Sequence, residues 1–270
     1  MNRLAFNLDR WSFPFLFALM AGVGLFFLVF PTIVVLVTSL TAAEVLRFPP
    51  EEYSLKWYWE LRNAVQIRSA AWNSFVVAFW TTLLSILLGV ASALAIGRSR
   101  APWARVLDTL FMSPLLLPAL AFGFAALMLF SMVGLQLSIT TLVIGHVVVC
   151  VPFVLRTTIA ALSQLDPAML EASYSLGASR VYTFRRVTFP IIRQGVWAGA
   201  FIAFMASFDN VPVSLFLVDP QIEVLPIHLW QIMNNELDAR AASASGLLVI
   251  LTVVLLLIME RIAGVTRYMR

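Results

Sequence analysis

Long runs of hydrophobic residues separated by short polar segments are the dominant pattern along this chain. Residues 13–40 and 70–97 are each uncharged over 28 residues. An α-helix needs about 20 apolar residues to cross the hydrocarbon core of a bilayer. Both runs are therefore predicted to be transmembrane spans. The first follows a short basic head, but it is about twice as long as the apolar core of a signal peptide, which predicts an uncleaved span.

The next uncharged run covers 47 residues, 109–155, and is too long for one crossing. Two helices of about 20 residues with a turn near 132–136 would fill it. This predicts a third span at about 109–131 and a fourth at about 138–162. A fifth span is predicted at about 191–218 and a sixth at about 241–262. The expected helix kinks lie at the prolines within these spans, which are Pro31, Pro114, Pro118, Pro152 and Pro212.

Composition agrees with a membrane protein. Of the 270 residues, 61% are hydrophobic and 12% are charged, whereas about a quarter of an ordinary soluble domain is charged. Because the apolar runs are continuous and do not alternate with a period of two, they predict helices and not a membrane β-barrel. The sequence thus predicts an all-α integral membrane protein, with residues 1–270 forming a single transmembrane domain.

The net charge is +4, but the basic residues occupy short turns between apolar runs. No basic surface interleaved with aromatic residues is present, so nucleic-acid binding is not indicated. The single cysteine, Cys150, lies in an apolar run and is expected to be a packed small hydrophobic residue.

The distribution of basic residues predicts the orientation of the chain. With six spans, both termini lie on the same side. Five basic residues fall on the opposite side: Arg47, Lys56, Arg62, Arg68 and Arg240. Thirteen fall on the side of the termini: Arg3, Arg10, Arg98, Arg100, Arg105, Arg156, Arg180, Arg185, Arg186, Arg193, Arg261, Arg267 and Arg270. The positive-inside rule therefore predicts cytoplasmic termini.

The segment 42–69 is the longest one predicted to lie outside. Its cluster Trp57-Tyr58-Trp59 is typical of a short helix at the level of the lipid headgroups. Either this helix only anchors the chain, or it is a docking surface for an outside partner. The last outside loop is acidic and contains Asp219, Glu223, Glu236 and Asp238.

One long loop, 163–190, is predicted on the inside. Asp166 is expected to cap a helix that begins at Pro167, and Gly177 suits the end of that helix. Ser179 is expected to cap a second helix that runs through Arg186 and breaks before Pro190. The apolar contacts of the loop are expected from Leu170, Tyr174 and Leu176. Such an elbow either binds a partner or is an interfacial connector without one.

The loop also carries a spaced motif. Glu171-Ala172-Ser173 is followed by three residues, Gly177, nine residues and Val187-Thr188-Phe189-Pro190. This resembles the EAA loop of importer-type ABC transporter permeases, whose pattern is Glu-Ala-Ala, three residues, Gly, nine residues and Ile-x-Leu-Pro. The departures are Ser173, Val187 and Phe189. The loop residues carried over by the resemblance are Glu171, Ala172, Ser173, Gly177, Ala178 and Pro190.

The resemblance implies a type I ABC importer permease fold in a bacterial inner membrane. It implies that the loop forms coupling helices that dock on cytoplasmic ATPase subunits. A second homologous permease subunit and a periplasmic solute-binding protein would complete the assembly. ATP and Mg²⁺ would belong to the partner ATPase, so no cofactor is expected in this chain.

A narrower resemblance concerns the spermidine/putrescine group of these permeases. It rests on Phe48-Pro49, 54–58, Trp72-Asn73-Ser74 and 207–210. That group commonly has two adjacent acidic residues where this chain has Asp209-Asn210. The implied substrate is a polyamine or a related amine. Other small polar solutes stay open, such as an amino acid derivative, a phosphonate or a metal complex.

Candidate chemistry in the spans is sparse. No phosphate-binding Gly-rich loop is present, so ATP binding by this chain is not expected. His146 and His228 do not have the spacing of metal ligands, and His146 is expected to be hydrogen-bonded between helices. No nucleophile motif occurs. The sequence therefore does not indicate an enzyme.

Asp209 is the candidate for the substrate path, because an ionisable residue inside a span is costly and by default a functional hypothesis. Asn210 is placed beside it in this role, and Asn73 more weakly. Alternatively, Asp209 pairs with a hydroxyl or arginine and shapes a helix break at Pro212, and Asn73 bonds a neighbouring helix. An ATP-independent transporter or channel would require further coupling carboxylates or a repeat of discontinuous helices.

Overall fold

The computed structural model describes residues 2–99, 101–219, 222–235 and 238–263. These residues form twelve α-helices, with one π-helical turn at Phe184–Thr188 between the eighth and the ninth. Arg100, Glu236, Arg267 and Arg270 lie outside the described residues, as do the side chains of Arg3 and Arg10. In chain order the helices are α1 Asn2–Thr38, α2 Lys56–Glu60, α3 Val65–Ile96, α4 Pro102–Leu116, α5 Ala119–Met132, α6 Ile139–Leu162, α7 Pro167–Ser175, α8 Arg180–Thr183, α9 Phe189–Phe208, α10 Val211–Leu217, α11 Leu225–Asn235 and α12 Ala239–Ala263.

Five helical stretches of the described chain are long and apolar enough to cross a membrane. They are Phe13–Thr38, Val65–Ile96, Ile139–Leu162, Arg180–Phe208 and Ala239–Arg261. The pair α4 and α5 meets the same criterion when its two helices are counted as one span. The predicted all-α membrane fold is confirmed, and the count reaches six when this pair is included.

The third span differs from the single helix expected over 109–131. The helices α4 and α5 are bent by 105° relative to each other. Leu117, between them, is extended, with φ −84° and ψ 144°. The ring of Pro118 disfavours a helical conformation at the preceding residue, so the helix ends before it, and Pro118 then precedes α5 as its N-cap.

The contacts within the chain define two units, the first of which combines residues up to Ala64 with Ile232–Val253. Its buried hydrogen bonds surround the end of α1. The Ser39 carbonyl accepts a bond from the Ser243 hydroxyl at 3.1 Å, and the Ser39 hydroxyl lies 2.6 Å from the Tyr58 hydroxyl. Trp57 donates from Nε1 to the Ala43 carbonyl at 3.1 Å. These bonds hold α2, the predicted headgroup-level helix, against the segment that follows α1.

The second unit combines Val65–Gln231 with residues from Val254 onward, and α6 is its most buried helix. It packs against α3, α4 and α9. Leu142, Val154 and Leu155 on α6 are almost completely buried, and Cys150 is buried as predicted. Arg156 also lies on α6, where it donates to Asp108 of α4 at 3.1 Å. The two side chains of this ion pair are 52% and 32% exposed.

The helix was expected to break before Pro190, and this expectation is wrong. The chain is helical from Arg180 to Phe208. Proline has no N–H to donate to the carbonyl four residues earlier. The π-helical turn accommodates this, because the Phe189 N–H bonds to the Phe184 carbonyl five residues back. The loop helix α8 therefore continues directly into the span α9.

We predict that Leu155→Ala lowers the free energy of unfolding by about 2–5 kcal/mol, because it leaves a cavity in a fully buried site. Leu88→Ala is the matched control, since the Leu88 side chain on α3 is 50% exposed. Cys150 is the one cysteine of the sequence and is buried. Heating the detergent-solubilised protein with a thiol-reactive dye therefore reports unfolding. Equal midpoints for the two variants would contradict the prediction.

Candidate functional site

The loop 163–190 folds as a helix, a glycine turn and a second helix. The Asp166 carboxylate accepts from the Ala168 N–H at 2.9 Å, and Pro167 is the first residue of α7. Gly177 has φ +79°, a left-handed conformation that favours glycine. Its N–H bonds to the Tyr174 carbonyl at 2.9 Å. The Ser179 hydroxyl accepts from the Tyr182 N–H at 3.3 Å and caps α8. All three predicted helix signals are confirmed.

Most of the motif residues in this loop are accessible. Glu171, Ala172, Gly177 and Pro190 are exposed, whereas Ser173 and Ala178 are half-buried. Leu170 packs on a core cluster of α6 and α9, as expected. Tyr174 and Leu176 were expected to make apolar contacts too, but they are exposed, Leu176 to 87%. The reason is that α7 has no buried residue, and only Leu170 and Ser173 of this helix are half-buried.

Two further apolar residues belong to this exposed surface and were missed. Val181 and Tyr182 on α8 are 68% and 56% exposed. We call the exposed set Met169, Tyr174, Leu176, Val181 and Tyr182 the elbow surface. Val181 and Tyr182 could have been identified from the sequence, because both lie just after the Ser179 cap. An exposed apolar set at the turn of two short helices is typical of a surface that contacts another protein or the membrane.

Side-chain hydrogen bonds fix the elbow internally. The Ser173 hydroxyl of α7 lies 2.9 Å from the Thr183 hydroxyl of α8, and Thr183 is buried. Ser173 is the position where the motif of the resembling family has alanine, so this bond is a product of the departure. Arg98, after α3, donates to the Leu165 carbonyl at 3.0 Å. One bond thereby joins α7 to α8 within the loop, and the other fixes the start of the loop at Leu165 to Arg98.

Asp209 and Asn210 lie at a break between two helices. Asp209 ends α9, where its N–H donates to the Met205 carbonyl at 3.1 Å, and its side chain is exposed. Among the described residues, no side chain pairs with its carboxylate. Asn210 caps α10 by accepting from the Val213 N–H at 2.9 Å. The break thus lies at 209–210, and Pro212 is in the first turn of the following helix.

Asn73 occupies a different position. Its amide donates to the Glu223 carbonyl at 2.9 Å, and the neighbouring Ser74 hydroxyl accepts from the Leu225 N–H at 2.8 Å. The start of α3 therefore holds the chain that leads into α11. The described part of the structure contains no bond from Asn73 to Asp209 or Asn210.

An aromatic face on α3 and α9 leads towards Asp209. Phe75 of α3 lies with its ring centroid 6.1 Å from that of Phe204 on α9, and Phe204 stacks on Phe208 at 5.9 Å. Trp72 stacks on Phe75 at 5.7 Å. We call these four residues the aromatic face. Phe208 directly precedes Asp209, so a half-buried ring and an exposed carboxylate are adjacent. The exposed rings of the face are Trp72 and Phe75.

Both histidines are hydrogen-bonded. His146 is buried and bonds hydroxyls on α9 and α10, which confirms its predicted role between helices. Nδ1 of His228 lies 2.6 Å from the Glu223 carboxylate. Within the ranges that the structure describes, no group of three or more metal-binding side chains comes together.

The helical spans define the class of this molecule as a multi-pass integral membrane protein. The family described as "Binding-protein-dependent transport system inner membrane component" matches residues 85–265, and the chain belongs to it. It is therefore an inner-membrane protein of a transport system that depends on a binding protein.

Two relatives and one solved structure illustrate the relationship. The spermidine/putrescine transport system permease protein PotC of Escherichia coli is 27% identical over 237 residues, covering 88% of this chain and 89% of the relative. A probable molybdenum ABC transporter permease protein of Haloferax volcanii is 32% identical over 182 residues, covering 64% of this chain and 67% of the relative.

The solved structure is a crystal structure of a bacterial ABC transporter involved in the import of the acidic polysaccharide alginate. One of its chains aligns with a TM-score of 0.67 and 14% identity, covering 97% of this chain and 98% of that chain. At this identity the likeness bears on the fold alone. The fold is that of ABC importer permeases, as predicted.

We predict that Ser173→Ala weakens the elbow by about 1–2 kcal/mol, because it leaves the buried Thr183 hydroxyl without its partner. Amide hydrogen exchange over 167–183 should accelerate about fivefold or more. The double variant Ser173→Ala/Thr183→Val should exchange close to the parent rate, since removing both partners leaves no unpaired hydroxyl.

Ser175→Ala is the control for this prediction, because Ser175 is exposed and lies at the end of the same helix. If the double variant exchanged faster than Ser173→Ala, the hydroxyl pair would not be what holds α7 against α8.

Proposed function

We propose that this chain is the permease subunit of an ATP-binding-cassette importer and forms half of the path for a polyamine or a related small amine. The observation that carries the proposal is the loop 163–190. It has the motif spacing of a coupling loop, and its exposed apolar elbow surface is held in shape by Asp166, Gly177 and the Ser173–Thr183 bond. It lies in a chain of a binding-protein-dependent transport family.

The orientation follows from charge. The thirteen basic residues on the side of the termini, against five on the other, favour a cytoplasmic position for the termini and the loop 163–190. The elbow surface then faces the compartment that contains ATP. Cytoplasmic ATPase subunits are its partners, and ATP hydrolysis takes place on them, so this chain is a transport subunit and not itself an enzyme. A second permease and a periplasmic binding protein complete the assembly.

The continuity of α8, the π-helical turn and α9 supplies a mechanical link. The helical stretch Arg180–Phe208 has 29 residues, which corresponds to about 40 Å at 1.5 Å per residue. One end carries the elbow surface and the other ends at Asp209. Closure of the ATPase subunits would move the elbow and, through this helix, the break at 209–210. The path would then switch between two states that substrate and ATP bias differently.

The substrate class rests on the chemistry around Asp209. An exposed carboxylate next to the aromatic face suits an organic cation, because the carboxylate supplies charge and aromatic rings attract cations through their faces. The similarity to PotC over most of the chain favours a polyamine. The molybdenum permease relative keeps an oxyanion or metal complex as the competing substrate.

A secondary transporter or channel is the alternative without ATP. It would need no partner at the elbow surface, and the fold and family do not favour it. The two proposals differ in one observable property, which is whether changes confined to the elbow alter uptake driven by ATP.

We predict that Gly177→Leu abolishes coupling to the ATPase without preventing membrane insertion. Gly177 has φ +79°, and a leucine there disfavours the left-handed turn that shapes the elbow. Gly134→Leu is a matched control, because Gly134 has φ +73°, and at both glycines an added Cβ meets nothing within 4 Å. The strain is the same, but Gly134 lies in the turn before α6.

The measurement for this pair is co-purification with the ATPase subunit and ATP-dependent uptake into proteoliposomes. Gly177→Leu should lose both, and Gly134→Leu should retain both. Unchanged ATP-dependent uptake in Gly177→Leu would exclude the elbow as the coupling site.

We predict that Asp209→Asn lowers polyamine uptake about tenfold, equivalent to about 1.4 kcal/mol. Asn210→Asp should raise polyamine uptake. It keeps the cap on α10, because aspartate and asparagine cap equally well, and it adds a second carboxylate. The preference for a diamine over a monoamine should rise about fivefold.

Competition uptake assays with putrescine and a monoamine would measure these effects. Asn210→Ala, which removes the cap without adding charge, separates the two contributions. Identical uptake and preference in the parent, Asp209→Asn and Asn210→Asp would remove the 209–210 break from the path.

A further inference from the structure

The break at Asp209–Asn210 is bridged by a buried side chain on α6. His146, in the first third of α6, is only 1% exposed. Its Nδ1 lies 2.8 Å from the hydroxyl of Ser207 in the last turn of α9. Its Nε2 lies 3.1 Å from the hydroxyl of Ser214 in α10. One imidazole therefore joins the helix before the break to the helix after it.

The chemistry of these two bonds is complementary. A neutral imidazole has one N–H donor and one nitrogen acceptor, and a serine hydroxyl can act in either role. One serine therefore accepts from the ring and the other donates to it, and both ring nitrogens are satisfied. Ser207 and Ser214 are themselves buried, at 3% and 1% exposure. A buried polar group without a partner is costly, so removing any one of the three leaves another unsatisfied.

The helix α10 is also packed tightly on α6 beside His146. Val213 and Leu217 of α10 are fully buried in the core cluster of this unit. A Cβ on Gly145, the residue before His146, would clash with the Leu217 side chain. The short helix α10 is thus held on α6 by close contact. The His146 imidazole adds a hydrogen bond from the same region of α6 to Ser207 at the end of α9.

We infer that His146 is a positioning residue of the translocation path, which fixes the angle between α9 and α10 and thereby the place of the Asp209 carboxylate. This rests on the proposed function for the importance of Asp209. It assigns to His146 a role that requires both serines. Without the imidazole, α9 and α10 each still pack on α6. The hydrogen-bonded bridge from Ser207 through His146 to Ser214 is lost, however, and the angle between the two helices at 209–210 is less strictly fixed.

The bridge from Ser207 to Ser214 needs both hydrogen bonds of His146, and this predicts a specific pattern of mutational effects. Loss of either serine hydroxyl breaks the hydrogen-bonded bridge between α9 and α10 as completely as loss of the ring. His146→Leu, Ser207→Ala and Ser214→Ala should therefore have similar effects, and combining them should add little. Three independent packing residues would instead show additive effects. His146→Gln should restore part of the function, because its amide group offers both a donor and an acceptor.

The test uses the complete transporter in lipid, with Cys150→Ala and cysteines in place of Trp197 on α9 and Leu215 on α10, both of which are exposed. Nitroxide labels at these positions report the distance between the two helices by dipolar electron spin resonance. The parent should give one narrow distance distribution. It should broaden in His146→Leu and in each serine variant, and narrow again in His146→Gln.

His228→Leu is the matched control, since His228 is also buried but its imidazole bonds Glu223, which belongs to neither α9 nor α10. Uptake per assembled transporter should fall about threefold to tenfold in the three disconnecting variants, the effect of one buried hydrogen bond. An unchanged distribution in those variants, additive effects, or broadening with undiminished uptake per transporter would each overturn the inference.

The distance measurement needs no substrate. If the parent transporter did not take up polyamines, the proposed substrate would be wrong, while the distance distributions would still decide whether His146 joins α9 to α10.

Discussion

Backbone hydrogen bonding in lipid is the constraint on which this structure depends. The hydrocarbon core has no water to pair with a free N–H or carbonyl, so each interruption of a helix needs another partner. The spans are broken at Pro118 and at Asp209–Asn210, and the regular α-helical hydrogen bonding is changed before Pro190. At Pro190 the backbone itself adjusts through the Phe184–Phe189 bond. At 209–210 the Asn210 side chain takes over as the cap.

The same constraint connects the two parts of the proposed mechanism. Because the π-helical turn preserves the helix through Pro190, the segment from the elbow to Asp209 is a single helical element. A true break before Pro190 would have separated the loop from the span. The structure therefore places the break in this element at 209–210, where the exposed carboxylate lies, and bridges the break with His146.

The features that were predictable from the sequence are those encoded by neighbouring residues. The caps at Asp166 and Ser179 and the glycine turn at Gly177 each depend on a few adjacent positions, and the spans depend on uninterrupted apolar runs. The errors arose where tertiary context decides. The break at Pro118 and the continuity at Pro190 involve the same residue type with opposite results. The partners of His146 lie 61 and 68 residues away in the chain, so no local pattern could reveal them.

The cap at Asn210 has an evolutionary consequence. Asparagine and aspartate cap a helix equally well, and one base change in the codon interconverts them. Position 210 can therefore gain or lose a negative charge without disturbing the start of α10, provided that the oxygen bonded to the Val213 N–H is kept. Related chains could drift between one and two carboxylates at this break while remaining folded. Selectivity for solute charge would then diverge within the family, because exchanging asparagine and aspartate at this position does not reduce the stability of the fold.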